Sequence, residues 1–397
     1  MLIGIVGKPN CGKSTFFAAS TLVDVEIGNR PFVTIKPNQG TGYVTRECVH
    51  IEKGTECQPM NSKCEKGTRL IPMTLLDVAG LVPDAWQGKG LGNQFMNDLM
   101  QAKALIHVID ASGSTDAEGN EVEKGSHDPA EDIRFLEKEI NYWIKGILDR
   151  NWEKITKKAD ADHKNSEALF AQLSGLGISE EEIIEVLNKG EFAERITDWG
   201  DENILDFCEG VRKISKPLLI AANKIDVNGA KEKYEKLLQE FPDYIIVPCC
   251  AEAELALRKA SRAGAVNYIP GEKDFEFAQE LNEQQKKALE FIREKVLKEF
   301  NGTGVQEAVN KTSFDLLKLI VVYPVQDQNK WMSGKGNILP DSYLLKQGSC
   351  AIDLAETIHT DFKERFLAAV DCRTGQKVGK DHELKMDDVI KIVLRPA

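Results

Sequence analysis

Short, unbroken apolar runs alternate with amphipathic stretches along the first 250 residues. Residues 2–6, 70–76, 104–109, 217–222 and 244–248 are runs of strand length, continuous in apolar residues as strands buried on both faces are. The segments that follow them carry helical spacing instead. This order predicts an α/β fold with a doubly wound, mostly parallel sheet and ligand loops at its carboxyl edge. From Asp128 to Lys216 the pattern is purely helical, with Ile133, Leu136, Ile140, Trp143, Ile144 and Ile147 at three- and four-residue spacings. Residues 113–215 therefore read as a helical insertion. Helices are also expected over 252–262 and 279–300. From about residue 316 the pattern changes again: a strand over 316–324, a turn-rich stretch over 326–342, a helix over 350–357, and strands over 368–371 and 389–394 describe a small mixed α+β module.

The first run leads directly into Gly7-Lys8-Pro9-Asn10-Cys11-Gly12-Lys13-Ser14, a Gly-x4-Gly-Lys-Ser phosphate-loop pattern, and then into a helix that includes Thr15. Backbone N–H groups of such a loop surround a β-phosphate, Lys13 bridges β- and γ-phosphates, and the Ser14 hydroxyl is placed to ligate Mg²⁺. The run over 70–76 delivers Asp77-Val78-Ala79-Gly80. At a strand end, Asp77 is suited to hold Mg²⁺ through water and the Gly80 N–H to meet a γ-phosphate. Residues 28–38 lack any period and read as a loop in which Thr34 could offer a hydroxyl to Mg²⁺. The run over 217–222 ends in Asn223-Lys224-Ile225-Asp226. A carboxylate at Asp226 accepts from guanine N1–H and the exocyclic amine, which adenine cannot reproduce. Asn223 ties loops together, the Lys224 stem covers the base, and in Cys250-Ala251-Glu252 the Ala251 N–H is a candidate donor to guanine O6. His107, within an apolar strand, reads as a satisfied core histidine.

The chain of 397 residues suggests about two to three domains. Its apolar content of 42% and charged content of 29% describe a globular protein. With no leader ahead of the first strand and no run long enough for a membrane span, a cytoplasmic protein is expected. The net charge of −12 resides in residues 113–215, which hold 25 acidic and 13 basic residues. Bulk attraction to nucleic acid is thereby excluded, and no DNA partner is expected. A basic cluster within that segment, Arg150, Lys154, Lys157, Lys158 and Lys164, reads as a solvated helix face, with RNA binding the alternative. The nine cysteines are expected to be mostly reduced. Cys48, Cys57 and Cys64 share the polar excursion before residue 70, at spacings of neither a paired Cys-x2-Cys zinc site nor a ribbon. A Cys57–Cys64 disulfide is preferred there over a metal.

Taken in order, these motifs resemble the Obg-related P-loop GTPases. Residues 31–38 (Pro-Phe-Val-Thr-Ile-Lys-Pro-Asn) and the glycine-rich 80–95 segment bring the chain nearest to the YchF or Obg-like subfamily. The last 80 or so residues resemble a TGS domain, a β-grasp module. The resemblance implies a G domain over 1–112 and 216–315, the helical insertion, and a TGS-like domain over 316–397. It further implies GTP/GDP and Mg²⁺ as ligands, GTP hydrolysis, and contacts with ribosome or RNA, with a monomer favoured. Some YchF-type proteins alter the guanine-reading motif and favour ATP, whereas here it is intact. In relatives sharing the Gly-x-x-Asn-x-Gly-Lys-Ser form, the Asn oxygen ligates K⁺ beside the phosphates. The same use is implied for Asn10, the alternative being a residue that satisfies a turn. Lys13, Thr34, Gly80 and Asn10 are thus the expected catalytic set. Leu81 stands where Ras-like proteins carry a water-orienting Gln.

Overall fold

The computed structural model describes residues 1–22, 38–78, 80, 83, 86, 92–162 and 164–396. Thr34 and Leu81 lie outside them. The chain divides into two compact units, one of Met1–Thr41 with Thr74–Ala308 and the other of Gly42–Met73 with Val309–Ala397. The polar excursion before residue 70 thus belongs with the C-terminal unit.

In chain order the first strands are β1 (Leu2–Val6), β2 (Asn38–Glu47), β3 (Lys63–Glu65), β4 (Thr68–Asp77), β5 (Ala104–Asp110), β6 (Leu218–Asn223) and β7 (Ile245–Pro248). In the first unit β4, β1, β5, β6 and β7 neighbour one another in that order, and every pair is parallel. Residues of β5 and β6 are buried without exception, which is why their sequences show no alternation. The register places Ile5 opposite Asp77, and Asp110 opposite Asn223. Chemistry-bearing residues are thereby aligned at the carboxyl edge.

The insertion consists of helices Pro129–Asp149, Trp152–Asp162, Asn165–Leu173, Glu180–Lys189 and Asp201–Ser215. Asp128 caps the first by accepting from the Ala130 N–H, and Pro129 fits its first turn because no donor is needed there. Ile133, Leu136, Ile140, Trp143 and Ile144 are buried in the core, while Ile147 is partly buried against it. In the basic cluster, exposed Lys157 pairs with Glu153 on its own helix, and exposed Lys164, the residue capping the next helix, pairs with Glu167, as solvated faces do. The strands β8 (Val266–Asn267) and β9 (Glu276–Phe277) form a short antiparallel ribbon. The expected 279–300 helix begins at Glu283 behind an Asn282–Gln285 capping box and passes through a π-helical turn at Arg293–Leu297.

In the second unit, β10 (Leu319–Val325), β11 (Tyr343–Lys346), β12 (Phe366–Asp371), β13 (Lys377–Val378) and β14 (Asp388–Leu394) form a mixed sheet in the order β11-β10-β14-β12-β13. Helix Ala351–Ile358 packs Leu354 and Ala355 onto Val322, Ala369 and Ile390. The strand expected from 316 starts later, because Thr312–Leu316 is π-helical. Within the excursion, β3 and β4 form a hairpin through Lys66 and Gly67, both at positive φ (45° and 87°), the backbone a type I′ turn requires. The expected Cys57–Cys64 disulfide is absent: all nine cysteines are free thiols. No helix among the described residues is long and apolar enough to cross a membrane.

Candidate nucleotide-binding site

The phosphate loop leaves β1 and enters helix Lys13–Thr21. Its glycines are dictated by space as well as by φ. Gly12 has φ +97°, and a Cβ there would stand 2.2 Å from the Asn223 amide nitrogen. Asn10 is left-handed (φ 59°), a conformation asparagine tolerates better than most residues. Lys13 Nζ donates to the Lys8 carbonyl at 2.9 Å, across the loop. Pro9 and Cys11 are buried and Thr15 is half-buried. Gly80 lies over Pro9, where a Cβ would stand 3.0 Å from the Pro9 side chain.

Beside the loop, Ser14 Oγ donates to Asp77 Oδ2 at 3.0 Å. Asp77 is fully buried and its Oδ1 has no hydrogen-bond partner among the described residues. Burial raises its carboxyl pKa, against the opposing pull of Lys13 and the Ser14 hydrogen bond. A buried carboxylate oxygen left without a partner beside a hydroxyl is a donor set suited to a hard cation such as Mg²⁺.

At the other end, Asn223 joins two loops: its Nδ2 donates to the Cys11 carbonyl at 2.9 Å and its Oδ1 accepts the Ala251 N–H at 3.0 Å. The Ala251 N–H, expected to meet guanine O6, is therefore already engaged within the protein. Asp226 is half-buried, with Oδ1 accepting from Cys250 Sγ at 3.1 Å. Burial, then the Asp226 carboxylate, push the Cys250 thiol well above its ordinary pKa, so it stays a donor. Glu252 is exposed on the first turn of helix Ala251–Arg262. The Cys250 N–H donates to Thr303 O at 2.8 Å, and buried Glu254 accepts from Thr303 and Tyr268 hydroxyls at 2.5 and 2.6 Å, so the Cys250–Glu252 loop rests on a hydrogen-bonded support.

Several residues of this region escaped the motif reading. Asp110, at the end of β5, accepts from the hydroxyls of Ser112, Ser114 and Thr115 and pairs with Lys224 Nζ at 2.9 Å. Burial raises its pKa, but Lys224 and the Ser112 and Thr115 hydroxyls outweigh this and leave it below the usual carboxylate range. The pair pins the stem of Lys224. Buried Lys8 donates to Thr115 O at 2.8 Å and pairs with Asp132 at 2.9 Å, while His127 Nε2 lies 2.7 Å from the same carboxylate. Asn10 Nδ2 donates to Gly119 O at 2.8 Å. Trp86 donates its backbone N–H to Glu139 at 3.0 Å and packs on Tyr142. The start of the insertion is thus built around the phosphate loop. The signal that could have found it is the acidic start of helix Pro129–Asp149, with Asp128 as its cap and Glu131 and Asp132 in its first turn. His107 is buried, held neutral by burial with Lys8 and Lys13 nearby (pKa lowered to about 3), yet its Nδ1 has no partner among the described residues, so it is a core histidine but not a satisfied one.

Three family models match the chain: a 50S ribosome-binding GTPase model over residues 2–140, the G4 motif-containing domain of the YGR210-like Obg-like GTPases over 221–327, and a TGS domain over 334–394. A GTP-binding protein of Methanocaldococcus jannaschii is 49% identical over 394 residues, covering 99% of this chain and 98% of its own. A solved GTP-binding protein from Pyrococcus horikoshii is 41% identical, covers all of both chains and superposes with a TM-score of 0.79. More distantly, the ribosome-binding ATPase YchF of Haemophilus ducreyi is 27% identical over 376 residues, 92% of this chain and 86% of its own.

Proposed function

Because the chain belongs to the Obg-like GTPase family, with a C-terminal TGS domain, we propose that it is an Mg²⁺-dependent GTP-binding and GTP-hydrolysing switch acting on the ribosome or its RNA. The observation that carries the guanine assignment is the base loop. Asp226 is held by a single weak thiol donor, and its Oδ2 has no partner among the described residues. A carboxylate so placed matches the paired donors of guanine, whereas adenine would leave it unpaired at a cost of several kcal/mol.

Asp77 and Ser14 are the groups to hold Mg²⁺, consistent with the unpartnered Oδ1 and the adjacent hydroxyl. Bound there, the ion would draw charge from the β- and γ-phosphate oxygens. The chain's own contribution is placement. The loop amides cradle the phosphates, Lys13 exchanges the Lys8 carbonyl for phosphate oxygen, and Asn223 keeps phosphate and base loops in register. Thr34 and the Gly80 N–H are proposed to meet the γ-phosphate. Leu81 can neither donate nor accept, so intrinsic hydrolysis is expected to be slow and a ribosomal group to accelerate it.

A second reading, an adaptor that binds GTP with negligible turnover, is favoured by that same Leu81. Single-turnover hydrolysis of GTP, with and without ribosomes, separates the two: acceleration by ribosomes supports the switch, and equal, negligible rates support the adaptor. Ribosome association is expected to weaken with rising salt, as Lys and Arg contacts to phosphates release counterions. Salt-independent cosedimentation would contradict an RNA contact.

A further inference from the structure

Three cysteines and a histidine that no motif links converge on one point of the second unit. Cys48 follows β2, His50 opens the helical turn His50–Lys53, Cys57 sits in the irregular 55–62 strap, and Cys64 is the middle residue of β3. Their ligand atoms, three Sγ and one imidazole nitrogen, all lie within 4.8 Å of one another. Cys48 Sγ is 3.9 Å from Cys57 Sγ, and Cys64 Sγ is 3.5 Å from His50 Nδ1. A tetrahedral Zn²⁺ with ordinary Zn–S and Zn–N bonds demands edges of about 3.8 Å between sulfurs and about 3.6 Å between sulfur and nitrogen. The two observed edges match these lengths. A disulfide requires sulfurs about 2.05 Å apart and would leave the histidine without a role.

Each ligand is fixed by backbone that does not depend on a metal. The Cys48 N–H donates to Gly67 O at 2.8 Å and its carbonyl accepts from Ile51 at 3.1 Å, which sets the turn carrying His50. The strap holding Cys57 is tied down by the Gln58 N–H to Ile338 O at 2.8 Å and the Met60 N–H to Pro340 O at 2.7 Å. Cys64 is presented by the hairpin, paired with Arg69 on β4.

Arg69 supplies an independent observation. Its side chain is fully buried, with Nη2 donating to Leu339 O at 2.8 Å, Nη1 4.0 Å from Cys48 Sγ, and no carboxylate ion-pair partner among the described residues. A buried guanidinium with no carboxylate in ion-pair contact, the Asp341 charge acting on it only from further off, is costly. Zn²⁺ with three thiolates and a neutral imidazole carries a net charge of −1, and Arg69 is placed to balance it, as charges around metal centres commonly are.

We propose that Cys48, His50, Cys57 and Cys64 form a structural zinc site. With four protein ligands the site is closed, leaving no open position for catalysis. The ion clips the end of β2, the strap and the hairpin together. No ligand belongs to the phosphate or base loops, so the proposal stands apart from the nucleotide reading.

The test is metal analysis of the full chain purified without chelators, followed by Co²⁺ titration of the reduced, metal-stripped chain. About one zinc per chain is expected, together with the intense visible bands of tetrahedral cobalt and a near-ultraviolet thiolate-to-cobalt band. Cys57→Ser and Cys64→Ser should each weaken retention more than tenfold while leaving fluorescent-GDP binding within twofold. That retained binding shows the nucleotide-binding unit is folded, and an unchanged far-ultraviolet circular dichroism spectrum shows the same of the second unit. Absence of both zinc and the tetrahedral cobalt spectrum in the unmodified chain would overturn the site. So would iron–sulfur absorption of the purified chain, or unchanged metal retention in the Cys57→Ser/Cys64→Ser double variant.

Discussion

Asn223 and Cys11, 212 residues apart in the chain, are joined by a 2.9 Å hydrogen bond from the asparagine amide to the cysteine carbonyl. The same side chain accepts from Ala251 at 3.0 Å, so one residue sets the distance between the phosphate loop and the Cys250–Ala251 loop proposed to meet the base. Asn223→Ala removes both bonds, each worth about 0.5–1.5 kcal/mol. Affinity for GTP and GDP should fall together, by roughly 5- to 150-fold, in fluorescence titration. A loss confined to GTP would show that Asn223 acts on the γ-phosphate instead.

Asp226→Asn exchanges an acceptor for a donor at the guanine edge. Weaker GTP binding and a gain for xanthosine triphosphate are expected, since xanthine carries a carbonyl where guanine carries the amine. Displacement of a fluorescent nucleotide by the two triphosphates measures the switch, and a variant that still ranks GTP above the xanthine nucleotide would refute the contact.

Asp77 ties stability to function. Its folded pKa is raised, first by burial, so its ionised form opposes folding. That penalty is absent below the ordinary carboxylate pKa and complete above the raised one. In the absence of Mg²⁺ and nucleotide, thermal stability should therefore lose a contribution as pH rises through this window. Asp77→Asn should remove that contribution and raise stability near neutral pH by roughly 1 kcal/mol, a few degrees in Tm. The same variant should lose the Mg²⁺-dependent part of GTP affinity. Thermal melts across pH, paired with titrations at varied Mg²⁺, check both halves.

The Lys8–Asp132 pair is buried on both sides, with side chains 1% and 5% exposed. Asp132→Ala leaves Lys8 as an uncompensated interior charge and should cost roughly 3–5 kcal/mol in urea unfolding. A Lys8→Met/Asp132→Leu double variant should recover most of that loss. Equal destabilisation by both would assign the cost to packing instead of charge.

Asn10 presents its amide nitrogen to Gly119 O at 2.8 Å, which leaves its oxygen as an acceptor for a monovalent cation. Hydrolysis in K⁺ should exceed that in Na⁺ at equal ionic strength, and Asn10→Ala should erase the difference while largely sparing GTP binding. Equal rates in both salts would reduce Asn10 to a tether for the 119 loop.

The nucleotide loops were legible in the sequence because their chemistry is local. A strand, a glycine-rich turn and a helix fit within the first 21 residues, and Asn223 through Asp226 follow a single buried strand. Contacts between distant segments were not legible in the same way. Lys8 meets Asp132 and Asn10 meets Gly119 only because the insertion returns to the loop. The Cys48–His50–Cys57–Cys64 cluster was hidden for a similar reason: its spacing follows a helical turn, a strap and a hairpin, so only the hairpin geometry set by Lys66 and Gly67 brings Cys64 to His50. The Cys57–Cys64 disulfide preferred there over a metal left that histidine out.

The central claim, a site built to read guanine, is tested most directly by competition on the unmodified protein. Fluorescent GDP is displaced by GTP or by ATP at saturating Mg²⁺, and the two midpoints are compared. GTP should displace at concentrations at least about 100-fold below those of ATP, given the several kcal/mol attached to a carboxylate that a bound base would cover and leave unpaired. Comparable midpoints for GTP and ATP would contradict the account.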